Sequence, residues 1–161
     1  MIPHGLREFG ELTVQSGDWP IIVTDFPEGH VSDEDLQGML GHLEELMREA
    51  EARRERIFFV TDITRMRQHP PASQRKLTAE WMTRTFGLGR IASAGAAHVT
   101  PSALLRGLIT AVSWVQPPPQ PQVCVATRDE AIAHGIETLK AIGALLPPRL
   151  TARQNRASAG K

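Results

Sequence analysis

The run "RIFFVTDI" at residues 56–63 constrains this chain most, because its four consecutive apolar residues, Ile57–Val60, are too few for a helix and rich in strand formers. Such a run reads as a strand buried on both faces, central in its sheet. It lies between two long stretches of helical character. In "SDEDLQGMLGHLEELMREAEARRER", Leu36, Met39, Leu40, Leu43, Leu46, Met47 and Ala50 recur at three- and four-residue spacing. Ser32 is placed to cap that helix, Asp33, Glu34 and Asp35 suit its positive end, and Arg53, Arg54 and Arg56 its negative end. In "PASQRKLTAEWMTRTFG", Pro71 opens a second helix and Gly87 closes it, with Leu77, Thr78, Trp81, Met82 and Thr85 on the inward stripe.

The rest of the chain repeats this alternation. Leu12–Gln15 and Ile21–Thr24 are extended runs joined by Ser16, Gly17 and Asp18, a hairpin pattern. "SAGAAHVT" and "PQVCVAT" read as strands on either side of a helix over 102–116, which Pro101 opens and a proline run ends. A last helix over 128–146 carries Ala131, Ile132, Ile136, Leu139, Ile142 and Leu146 on one face. Helices separating strands imply crossover connections. The expected fold is therefore α/β: a single mixed, mostly parallel sheet of about five strands, with an N-terminal hairpin and four helices packed mainly on one face. Residues 9–147 form one domain in this reading, residues 1–8 a flexible N-terminus, and residues 148–161 a basic, disordered tail.

Composition removes several functions. Among 161 residues, 18 Lys and Arg balance 18 Asp and Glu, so nothing supplies the cationic surplus that phosphate neutralisation by a nucleic-acid binder needs. The single cysteine, Cys124, sits in an apolar run, which fits a reducing compartment and a buried thiol. No secretory pattern opens the sequence, and the most apolar stretch, 103–115, is too short to span a bilayer and is interrupted by Arg106. The expectation is a cytoplasmic protein without membrane insertion.

Motifs for chemistry are missing. There is no phosphate-binding G-x-x-x-x-G-K-[ST], no dinucleotide fingerprint and no G-x-S-x-G elbow, and the six histidines are scattered singly. Asp62 ends the central strand, where parallel sheets place their sites, and could join Asp25 or Glu80, or His98 and Ser102, although a capping role explains it equally. We expect no enzyme, cofactor or metal. Two strand-to-helix junctions, one with Asp62, Thr64 and Ser73 and one with Thr100, Ser102 and Arg106, are either simple caps or places for an anion or a phosphoryl group. The helix over 102–116 is apolar on nearly every side. Leu104, Leu105, Arg106, Leu108 and Trp114 are its candidates for a partner-binding or homodimer surface.

The phrases "IFFVTDITRM", "PASQRKLTAEWM" and "VTPSALLRGLITAVSWVQPPPQPQVCVATRDEAIAHGIETL", together with the element order, resemble the STAS-like group of bacterial proteins. That group holds anti-sigma-factor antagonists and their CRAL-TRIO-related cousins, and the likeness covers roughly residues 10–146. It implies a non-catalytic module that regulates or scaffolds through a protein partner, such as a signalling protein. The antagonist branch implies a phosphorylated serine in an Asp-Ser-Ser-Gly stretch. Here the corresponding "TDITRMRQHPPASQRK" lacks it, leaving Ser73 as nearest equivalent only if the loop carries an insertion. The cousin branch implies an apolar small molecule held between the 101–116 helix and the sheet.

Overall fold

The computed structural model describes residues 3–115 and 117–159, without the side chains of 108, 112, 113, 115 and 157–159. Among the described residues are six strands: β1 (Leu6–Phe9), β2 (Leu12–Gln15), β3 (Ile21–Asp25), β4 (Ile57–Asp62), β5 (Ser93–Val99) and β6 (Gln122–Val125). The five helices are α1 (Asp33–Arg53), α2 (Ala72–Ala92), α3 (Ala103–Val115), α4 (Arg128–Ala141) and α5 (Pro148–Ala159). The strands form one sheet in strict chain order, β1-β2-β3-β4-β5-β6. Pairing is antiparallel from β1 to β3 and parallel from β3 to β6. The α/β class and the mixed sheet thus agree with the sequence reading, while strand and helix counts are each one higher.

Both additions arise where the sequence was read as loose. Leu6–Phe9 is paired with β2, with Phe9 opposite Leu12, so only Gly10 and Glu11 turn the chain. Gly10 has φ of 59°, a conformation that a two-residue hairpin requires and glycine adopts without cost. At the other end, 148–159 is helical because Leu150, 2% exposed, inserts into the core beneath α4. Arg149 bonds Asp18 at 2.8 Å and Arg153 bonds Asp129 at 2.8 Å, which fixes the helix against two separate elements.

Helices cover both faces of the sheet. Alternation along each strand sends Ile22, Ile57 and Phe59 to one side and Ile21, Val23, Phe58, Val60, Ala97 and Val99 to the other. The first side is covered by α1, whose Leu36, Met39, Leu40, Leu43, Leu46 and Met47 form a core with Leu12, Val14 and Ile22. The second is covered by α4, through Ala131, Ile132, Ile136 and Leu139. A central strand apolar at every position, "IFFV", needs a helical layer on each side, and it has both. Where α4 crosses the sheet, Phe58 fills the space left by two glycines. A Cβ on Gly135 would stand 2.7 Å from its ring and one on Gly95 3.0 Å.

Local signals explain the helix ends. Ser32 accepts a hydrogen bond from the Asp35 N–H at 3.0 Å, and Arg54 closes α1 with φ of 57°. Thr127 and Glu130 form a reciprocal capping box at the start of α4, and Gly143, φ 73°, lies just beyond its end, earlier than the Leu146 expected. Helix α2 runs through Gly87 to Ala92 because Leu88 and Ala92 continue the stripe packed on the first core.

Candidate functional site

Helix α2 packs chiefly against α1 and only lightly on the sheet. A cleft therefore remains between these two helices and β3–β6. Its inner lobe, 220 Å³, has Thr61, Ala96, His98 and Gln122 on the sheet side and Met39 and Trp81 among its helical walls. An outer lobe of 360 Å³ shares Phe26, Met39, Leu40, Thr61 and Thr78 with it and reaches Leu105 of α3. The outer lobe alone reaches the range of small-molecule sites, and the inner lobe extends it toward the sheet. The space exists because β5 presents only small residues next to His98 on this face, while the opposing side chains come from helices set apart by their own packing.

Among the described residues, no Asp, Glu, Lys or Arg lines the inner lobe. The one titratable group there is His98, whose Nε2 lies 3.2 Å from Gln122 Oε1. Burial pushes its pKa below the ordinary 6.5, with the Gln122 contact opposing in part, so the ring is neutral at pH 7. Native His98 thus resists a proton that the unfolded chain accepts, so its contribution is complete above pH 6.5 and is lost as pH falls through the native value. Denaturant titrations at pH 7 and pH 5 should show that wild type loses more stability on acidification than His98→Gln.

Glu44 on α1 links the two helices that wall the cleft. Its carboxylate accepts from Arg48 Nη2 at 2.7 Å and from Arg84 Nη2, on α2, at 3.0 Å. These two hydrogen bonds, that of Arg48 foremost, hold its pKa below the ordinary 4.5. Among the described residues, Trp81 Nε1 and Gln120 Oε1 are buried without a hydrogen-bond partner, and both side chains line the inner lobe.

No family model, curated protein or solved structure matches this chain. What the site can bind follows from its own residues.

Those singled out in the sequence are scattered. Asp62 lies on the α4 side of the sheet, where its Oδ2 accepts from Arg128 Nε at 2.9 Å and Nη2 at 2.8 Å, and Asp25 bonds the same guanidinium. The other oxygen of Asp62 accepts from the Thr64 N–H at 2.9 Å. Ser73 instead bonds Asp33 of α1 at 3.3 Å, so no described contact gathers Asp62, Thr64 and Ser73 into one anion site. His98 is on the opposite face from Asp62, and Ser102 caps α3 through the Leu105 N–H at 3.2 Å, so the three do not converge. On α3, Leu104 and Trp114 are 86% and 81% exposed. Leu105 is half-buried at the outer lobe, and Arg106 turns back to donate to Thr100 O at 2.9 Å. The side chain of Leu108 lies outside the described residues.

His98 was singled out in the sequence, but the cleft around it was not, because its walls come from β3, β4, β5, β6, α1 and α2. The one local signal was "SAGAAHV", a strand with side chains too small to fill the space under two long apolar helices. Cys124 is half-buried, and burial pushes its thiol above the ordinary value. It is accordingly protonated at neutral pH and a poor nucleophile.

Proposed function

We propose that this chain is a non-catalytic, STAS-like binding module acting in regulation, and that it takes up a small, mostly apolar, uncharged molecule in the cleft between α1, α2 and the sheet. The observation that carries this reading is the inner lobe: a space walled by apolar and uncharged polar side chains, without a charged residue among the described ones and with a neutral histidine on its floor. A carboxylate or phosphate would lose its hydration in the inner lobe without gaining a cation, since Arg67 lines the outer lobe and is paired there with Glu28 at 3.4 Å. An alcohol, amide or aromatic compound loses far less.

Native mass spectrometry of freshly purified protein, followed by thermal shift with dodecanol, dodecanamide and dodecanoate, tests it. We expect co-purified mass or stabilisation by the neutral compounds, amounting to about 2.7 kcal/mol at a hundredfold excess over Kd. Repeated absence of both, or equal stabilisation by dodecanoate, sinks the reading.

A second reading, docking of a protein partner on α3, is favoured by the exposure of Leu104 and Trp114. Loss of partner recovery in Trp114→Asp would support it, and retained ligand binding in that variant would show that the two surfaces act separately.

A further inference from the structure

We propose that β6 is a self-pairing edge: two copies of this chain join their β6 strands antiparallel about a twofold axis at Val123, continuing the sheet from one copy into the other. This surface is independent of the cleft reading, and it lies in the strand rather than in α3 alone.

Among the described residues, strand β6 is last in the sheet, with β5 as its sole strand neighbour. The N–H of Ala96 donates to Pro121 O at 3.0 Å and that of Thr100 to Val125 O at 3.0 Å, so the odd-numbered residues turn their backbone toward β5. Backbone direction alternates along a strand, and Gln122 and Cys124 therefore present N–H and C=O to the open side. Both ends of this edge are closed to further pairing. Pro118, Pro119 and Pro121 have no N–H, and the N–H of Ala126 is taken by Glu130 Oε2 at 3.0 Å.

Two outward residues flanking Val123 are self-complementary. With Gln122 opposite the partner's Cys124, and Cys124 opposite the partner's Gln122, each pair exchanges two hydrogen bonds and all the outward groups are used. Such a pairing is isologous and closes, whereas parallel addition would not.

Charge points the same way. Residues 117–127 contain no charged side chain, so the juxtaposition brings no like charges together. The opposite edge, β1, carries Arg7 and Glu8, both exposed, the usual protection against edge-to-edge association. Only one edge of the sheet is guarded. Beside the unguarded one, Trp114 of α3 lines a groove of 400 Å³ with Pro118, Gln122 and Cys124, which gives the hydrogen bonds an apolar flank.

Light scattering coupled to size exclusion, across the micromolar range, should give twice the chain mass for the full-length protein. In this register Val123 faces its own copy in a non-hydrogen-bonded pair, with Cα atoms about 4.5 Å apart, within disulfide reach. Val123→Cys, made with Cys124→Ser, should then cross-link under mild oxidation. Wild type should not, because its two Cys124 stand on a diagonal of about 7–8 Å. Cys124→Pro removes an outward donor and leaves the β5 ladder intact, so it should be monomeric with unchanged circular dichroism. Should that variant unfold, the cross-link still decides. A monomeric wild type, a dimer in which Val123→Cys fails to cross-link, or a monomer that captures an extended peptide at this edge overturns the proposal.

Discussion

Replacing Phe58 with alanine should lower the stability of this protein by about 3–5 kcal/mol, read from denaturant titration at neutral pH. Phe58 is 1% exposed, lies on the central strand and is the largest side chain in the core shared by the sheet and α4. Few sites have less capacity to relax around the loss. Its ring rests against the Cα positions of Gly95 and Gly135, and neither glycine has a side chain that could move into the gap. The reciprocal change tests the same packing from the other side. Gly135→Val should destabilise by a comparable amount, since a Cβ would overlap the ring at 2.7 Å, and adding Phe58→Leu should recover part of the loss. Additive costs in the double variant would show that the ring and the glycine are not in contact.

Ala96→Phe should abolish stabilisation by neutral amphiphiles while leaving the free protein folded. Ala96 is 5% exposed and lies on the floor of the inner lobe, so the added ring occupies the space a ligand would take. Because the ring enters an existing cavity, the free protein should change in stability by less than the about 1–3 kcal/mol typical of overpacking a filled core. Ligand affinity should fall at least tenfold, measured by isothermal titration. Unaltered affinity in a folded variant would place the ligand elsewhere, and Ala94→Phe, on the same strand but in the α4 core, is the matching control for general damage to β5.

The elements that were legible in the sequence carry a strong period or an explicit punctuation mark. Helix α1 announces itself through its apolar spacing and the Ser32 cap, and β4 through four apolar residues in a row. What was not legible depends on contacts distant in sequence. Nothing in "GLREFGEL" marks Leu6–Phe9 as a strand until β2 is there to pair with it, and the basic 148–159 segment gains its helix from Leu150 meeting the α4 core. The placement of α4 opposite α1 was hidden for the same reason: periodicity tells which side of a helix is apolar, not which face of the sheet receives it. Among the site residues, Asp62 was rightly marked as the end of a central strand, but its partner Arg128 is 66 positions away. The cleft was invisible because it is a volume left between elements, and no single segment encodes a space.

The strict chain order of the sheet bears on how the molecule assembles. Every strand finds its partner in the strand made just before it, and no later segment must insert between two that are already paired. The β1–β2–β3 meander forms by short turns, and each α-helical crossover then adds one strand at the growing margin. Folding of this kind can keep pace with synthesis from the ribosome, because only the newest strand is ever unpaired. Completion of the second helical layer is the exception: α4 emerges after all six strands, so until then the face bearing Phe58, Val60 and Val99 stays uncovered.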